Sequence, residues 1–178
     1  RLTIKDRLDR ASEEIRRTGS EATLWDARLL LAHVLGHTNP LGLDPRLPVP
    51  ESPSERFELL WARRLAGTPV QHLVGEWDFF GRPFRVDMRG LIPRPETEVL
   101  ILQAIGAGAG ARSILDLGTG SGIIAVTLLR ELPEARAVAL DASIEALALA
   151  RENGIRHGVL PRLQLAGSDW LSAVAGGA

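Results

Sequence analysis

The stretch "ILDLGTGSG", Ile114 to Gly122, decides the fold. Ser113 to Leu117 is a short apolar run with the character of a strand. It carries an acid, Asp116, and then meets three alternating glycines, Gly118, Gly120 and Gly122. An apolar segment of helical length, Ser121 to Leu132, follows at once. Glycines at these positions let the chain turn tightly and bring backbone N–H groups close to a ligand at a helix N-terminus. Their spacing sorts the ligands. A dinucleotide fingerprint, G-x-G-x-x-G, would need its third glycine at position 123, which is Ile123. No Gly-Lys-Ser/Thr follows, so a phosphate-cradling P-loop is excluded as well. What remains is the pattern D-x-G-x-G-x-G. The competing reading is a turn serving only strand-to-helix geometry, but three alternating glycines cost more backbone entropy than a turn requires.

Downstream, the alternation continues. Ala135 to Leu140 reads as a strand, Ser143 to His157 as a helix and Arg162 to Ala166 as a strand, which implies right-handed crossovers and an α/β domain with a parallel sheet. Asp141 ends the second strand, where an acid in a doubly wound sheet accepts hydrogen bonds from ribose hydroxyls. The alternative is that it only precedes a helix whose N-cap is Ser143. "GSDW", Gly167 to Trp170, follows the third strand, and open sheets bind ligands beyond the carboxyl ends of their strands. There Asp169 could accept from an adenine amino group and Trp170 could pack on the base.

Upstream, "GAGAG" (Gly106 to Gly110) is a break and Glu96 to Ile105 a short helix. "LIPRPETE", Leu91 to Glu98, forms a stiff corner in which Pro93 and Pro95 restrict themselves and the residues before them. Glu96 and Glu98 complement the dipole of the helix that begins there. "GEWDFFGRPFRV" from Gly75 reads as a hairpin turning near Gly81 to Pro83. Before it, Ile4, Leu8, Ala11 and Ile15 recur at helical spacing and Gly19 offers a stop. Leu24 to Leu35 is apolar almost all round, ending at Gly36, which suits a buried helix. Pro40 to Pro53 reads as a loop that cannot be helix or inner strand. Phe57, Leu60, Trp61 and Leu65 then mark a third helix, with Arg63 and Arg64 facing out. The expected organisation is a helical domain over 1–74, a hairpin connector over 75–95 and the first part of a Rossmann-like domain over 96–178.

Bulk properties remove several function classes. With 45% hydrophobic residues, 24% charged and a net charge of −1, the chain offers no electrostatic argument for direct nucleic-acid or membrane binding. It has no cysteine, which removes disulfides, thiolate nucleophiles and thiolate metal sites together. No apolar run approaches the ~20 residues of a membrane span, and a cytoplasmic protein is the default expectation. His33 and His37 lie four apart, but Val34 replaces the Glu of H-E-x-x-H, so they read as ordinary histidines at a helix end and no metal is expected. Trp25, Trp61, Phe79 and Phe80 read as core, since no basic row interleaves them. The chain opens on Arg1 and runs out on "AVAGGA", so it is expected to be part of a longer polypeptide.

Taken in order, "GTPVQHLVGEWDFFGRPFRVDMRGLIPRPETE", "ILDLGTGSGIIAVTL", "LDASIEALALARENGIRHG" and "GSDW" resemble the release factor glutamine N5-methyltransferases of the HemK/PrmC type. "DARLLLAHVLG" is similar to that family's N-terminal domain, and the resemblance covers nearly the whole chain. It implies a Rossmann-like class I methyltransferase domain that binds S-adenosyl-L-methionine, preceded by an all-helical domain that engages the protein substrate, a peptide-chain release factor. The implied reaction is methylation of the side-chain amide of the glutamine in the Gly-Gly-Gln motif. Carried over residue by residue, Gly118, Thr119, Gly120, Ser121 and Gly122 would hold the methionine portion, Asp141 the ribose, and Asp169 with Trp170 the adenine. The "LIPRPETE" corner would roof the methyl end, with Thr97 as a polar contact in the substrate slot. The family's Asn-Pro-Pro-Tyr motif is expected beyond Ala178, so no residue of the chain is assigned a catalytic role. His72 is a smaller departure, where relatives often carry a tyrosine. Two alternatives stay open: a methyltransferase acting on nucleic-acid amino groups, and a non-catalytic cofactor-binding or interaction module if the chain truly ends at Ala178.

Overall fold

The computed structural model describes residues 2–108 and 110–172, so Ala109 of the glycine-rich break and the terminal "AVAGGA" lie outside the described residues. The chain divides into two compact units, Arg1–Val74 and Gly75–Ala178.

The first unit is helical. Helix α1 (Ile4–Thr18) begins at a capping box in which Thr3 and Asp6 satisfy each other's backbone amides, and it ends at Gly19, whose φ of 64° suits glycine. Helix α2 (Leu24–Leu35) repeats the device with Thr23, Asp26 and Gly36. Helix α3 (Glu51–Leu65) starts earlier than the proline-rich sequence suggests. Pro50 is its N-cap and Pro53 sits inside its first turn, where a missing N–H leaves no hydrogen bond unmade. A short helix α4 (Val70–Val74) closes the unit.

The core of this unit gathers Ile4, Leu30, Leu31, Phe57 and Trp61, all nearly inaccessible, with the Phe57 and Trp61 rings stacked 6.0 Å apart. Trp61 also donates its indole N–H to Glu14 at 2.7 Å, which satisfies the polar end of a buried ring. Two expectations fail here. Trp25 is 45% exposed rather than core, because it falls on the solvent side of α2. Arg64 does not face out. Its Nε donates to Asp26 at 2.9 Å with both side chains largely covered, since the α2 capping acid lies within reach of α3.

In the second unit, strands β1 (Glu76–Phe79) and β2 (Arg82–Arg85) pair antiparallel around a two-residue turn. Phe80 and Gly81 both take positive φ, 52° and 69°, as a tight hairpin of this twist demands. Phe79 and Phe84 meet edge to face and are buried, whereas Phe80 is only half-buried. Helix α5 (Glu96–Ala107) follows. Strand β3 (Ser113–Leu117), helix α6 (Ile123–Glu131), strand β4 (Arg136–Asp141), helix α7 (Ile144–Arg156) and strand β5 (Leu163–Gly167) then alternate. The strands form a parallel sheet in the order β3-β4-β5, as the alternation requires. Val126, Leu129, Ala137, Ala139 and Ile101 fill the core. The register sets Leu117 beside Leu140 and Asp141 beside Gly167, so the loops after all three strands emerge at one end of the sheet.

Candidate cofactor site

At that end, Gly118, Leu140, Asp141, Ala142, Ser168, Asp169 and Trp170 line one cleft. Three loops distant in sequence are brought together there by parallel pairing alone. The glycines of the first loop all take left-handed φ: 70° at Gly118, 54° at Gly120 and 76° at Gly122. A side chain at Gly118 or Gly120 would project into open space, so those two faces are bare to an approaching molecule. At Gly122 a Cβ would stand 2.8 Å from that of Ala150, so this glycine lets α6 and α7 close together.

The loop's amides are spent differently from the sequence expectation of donors aimed at a ligand. Gly118 and Thr119 both donate to the Leu140 carbonyl at 2.9 Å, Gly120 donates to Asp141 Oδ2 at 2.8 Å, and Gly122 donates to the Thr119 carbonyl at 2.8 Å. The N–H groups of Gly118, Thr119 and Gly120 thus face the end of β4. A phosphate needs such donors free, and the amides of Gly118, Thr119, Gly120 and Gly122 are already engaged.

Asp141 holds this loop with one oxygen and accepts from the Ser143 amide with the other, at 2.9 Å. Ser143 is at the same time the N-cap of α7, its hydroxyl accepting from Ala146 N. Each Asp141 oxygen keeps a further lone pair for a ligand hydroxyl. Thr119 and Ser121 are buried. Thr119 donates its hydroxyl to Asp116 at 2.7 Å, and burial pushes the Asp116 carboxyl above the usual aspartate range, opposed by the Thr119 bond and the Ala125 amide and reinforced by the Asp141 charge. In the third loop Trp170 takes a φ of 51° and is 73% exposed, with the Ser168 hydroxyl donating to its carbonyl. Thr97 is half-buried in the first turn of α5 and is not among the residues lining the cleft.

Two side chains hold this region together through contacts that sequence reasoning did not supply. Asn153 is fully buried: its Oδ1 accepts from Arg85 N at 2.8 Å, and its Nδ2 donates to the Arg85 carbonyl at 3.0 Å and the Ser121 carbonyl at 2.9 Å. The signal was available, since Ala146, Leu149, Ala150 and Asn153 fall on one helical stripe and an amide there needs partners. Glu98 is the second. Its carboxylate accepts from the amide of left-handed Phe80 at 2.8 Å, tying the "LIPRPETE" corner to the hairpin turn in addition to facing the helix dipole. Nothing local announces that contact. His33 ends α2 and His37 lies beyond it, and among the described residues no group of three or more His, Cys, Asp or Glu could hold a metal ion.

A parallel α/β sheet with a glycine loop after its first strand, an acid ending the second and an acid–indole pair after the third defines a Rossmann-like class I methyltransferase domain. Residues 97–177 match the methyltransferase small domain, and residues 6–75 match the PrmC N-terminal domain. The chain therefore carries these two domains in series, and it is similar over nearly its whole length to release factor glutamine methyltransferases. A release factor glutamine methyltransferase of Cereibacter sphaeroides is 46% identical over 175 residues, 97% of this chain and 62% of the relative. That of Chlorobaculum tepidum is 47% identical over 155 residues, covering 83% and 53%, and that of Vibrio cholerae 39% identical over 178 residues, covering 99% and 62%. The chain thus spans between 53% and 62% of the length of these relatives.

Proposed function

We propose that the chain is the cofactor-binding and substrate-recognition part of an S-adenosyl-L-methionine-dependent methyltransferase acting on the glutamine side-chain amide of a peptide-chain release factor. The observation that carries the reading is the single cleft that gathers Gly118, Asp141, Asp169 and Trp170 from three loops. The donor set fits this cofactor. Bare glycine faces and a loop in which the amides of Gly118, Thr119, Gly120 and Gly122 are already engaged suit a cationic methionine portion better than a phosphate. The free lone pairs of Asp141 suit two ribose hydroxyls, and the exposed Trp170 indole beside Asp169 suits a purine with an amino group. The names of the three relatives support the substrate. Translation termination is the process such a substrate serves, which is consistent with the cytoplasm. Among the described residues, no helix is long and apolar enough to cross a membrane.

An amide nitrogen is a poor nucleophile because its lone pair is delocalised into the carbonyl. The cofactor supplies a methyl group on a sulfonium, whose departing thioether is a good leaving group. The task left to the protein is to hold nitrogen, methyl carbon and sulfur in line and to exclude water. Gly118 to Gly122, Asp141, Asp169 and Trp170 fix the cofactor's position, and the corner bearing Thr97 is assigned to the methyl end. Acceptors for the amide hydrogens would let the lone pair localise as the bond forms. No described residue is assigned that role.

Titration calorimetry with S-adenosyl-L-methionine tests the cofactor half of the proposal. Asp141→Ala is expected to weaken binding by ~1–3 kcal/mol, the loss of hydrogen bonds to a charged acceptor together with the Gly120 clasp. Unchanged affinity would remove Asp141 from the site. The substrate half is tested by transfer of a labelled methyl group to a release factor, with the Gly-Gly-Gln glutamine replaced as the control. Label that survives that replacement, or appears on nucleic acid instead, would sink the substrate assignment.

A further inference from the structure

The segment between the hairpin and the "LIPRPETE" corner is fastened to the glycine loop through α7, and one side chain closes the connection. Asn153 spends both amide hydrogens and its oxygen on backbone groups alone: N–H and C=O of Arg85 in β2, and C=O of Ser121 in the loop. This pattern fixes the orientation of the amide. A flipped group would set its NH2 against the Arg85 N–H and its oxygen against two carbonyls. The backbone of Gly90 also packs close to Ser121: a Cβ there would stand 3.0 Å from Ser121 N, 3.3 Å from Ser121 Cβ and 3.1 Å from Leu149 Cδ2. Arg89 adds a charged clamp, bonding Asp87 at 2.7 Å and Glu152 of α7 at 2.8 Å. Ser121, two residues before α6 begins, is thus contacted by both Asn153 and Gly90.

We infer that Asn153 is a positioning residue for the cofactor loop, coupling the connector strand β2 to the backbone of Ser121. The inference rests on the cofactor reading above. Asn153 lines no part of the cleft and touches no reacting group; it acts by setting where Ser121, and with it Gly118 to Gly120, stand. Asn153→Asp keeps an acceptor for the Arg85 N–H but turns a carboxylate oxygen toward two carbonyls. Relief of that repulsion requires the loop or the strand to move away. Gly90→Ala presses on the same residue, and on the Leu149 side chain of α7, without changing Asn153. Arg156→Ala is the control: it removes the Arg156–Glu76 ion pair between α7 and the hairpin, away from the loop.

The experiment is calorimetric titration with S-adenosyl-L-methionine, well below each variant's unfolding midpoint so that lost stability alone does not alter affinity. It is accompanied by amide hydrogen exchange of residues 118–122 in the free protein. Asn153→Asp and Gly90→Ala are each expected to weaken binding roughly 5- to 20-fold and to speed exchange in the loop, whereas Arg156→Ala stays within about twofold. If Asn153→Asp does not fold, Gly90→Ala decides. Wild-type protein that binds, with loop variants that also bind within about twofold and show unchanged loop exchange, overturns the inference. Wild-type protein that fails to bind, while loop exchange still responds to both variants, instead sinks the cofactor reading and leaves the positioning role standing.

Discussion

Asp116, one residue before the end of β3, and Asp141, the last residue of β4, lie on neighbouring strands of one sheet, and the fold surrounds them differently. Asp141 accepts from two backbone N–H groups, while Asp116 is buried with one hydroxyl donor and the Ala125 amide. Burial raises the Asp116 pKa above its ordinary 3.8. A carboxyl whose folded pKa lies above its unfolded one favours the native state below the unfolded value, and that contribution is lost as pH rises through the folded value. Wild-type stability should therefore carry a decreasing component from the ordinary aspartate range upward. In Asp116→Asn, which cannot ionise, that component should vanish from denaturant unfolding measured across a pH series. An unaltered pH slope would mean that Asp116 is not the titrating group.

Among the elements, the hairpin and α7 are joined mainly by polar contacts. Phe84 lies against His157 at 4.3 Å and His157 Nε2 meets the Pro83 carbonyl, but the segment after β2 is held by charge. Arg89 bonds both Asp87 and Glu152, and it holds both carboxyls below their usual range. Their depressed pKa values make this contribution full above the unfolded values and lost as pH falls through the folded ones. The three side chains are 27%, 29% and 38% exposed, so solvent screens them, and Arg89→Ala should cost only about 1 kcal/mol of the second unit's stability. The difference should shrink in high salt and in acid. A loss that persists under both would point to packing of the arginine stem instead. The boundaries of these elements were largely legible beforehand. Capping residues, glycine stops and the spacing of apolar residues act within a turn or two of the chain. The first turn of α3 was misread because proline forbids a helix only where an N–H is needed.

Across the molecule, two units carry separate cores, and the proposed ligand belongs to one of them. At a hundred times its Kd, a ligand that binds only the folded form adds about 2.7 kcal/mol. Hydrogen exchange with saturating S-adenosyl-L-methionine should therefore slow in β3, β4 and the loops that follow them. Exchange in α2 and α3 of the helical unit should be unchanged. Slowing confined to the helical unit would move the ligand out of the assigned cleft.

By itself the sequence determined the alternation of strands and helices from β3 onward, the glycines at which the chain turns, and which loops carry acids toward the sheet's carboxyl end, while α4 was not read from it. Each follows from local sterics or from the periodicity of apolar residues, and parallel alternation then brings the three loops together. Only the tertiary structure decided how the polar groups are spent. Asn153 reaches Arg85 across 68 positions, Arg64 finds Asp26 across 38, and Glu98 caps Phe80 across 18. It also turned the amides of Gly118 to Gly120 inward to β4 and left Trp25 outside the core. A hydrogen bond demands placement within a few tenths of an ångström, and that placement is set by packed neighbours rather than by adjacent residues.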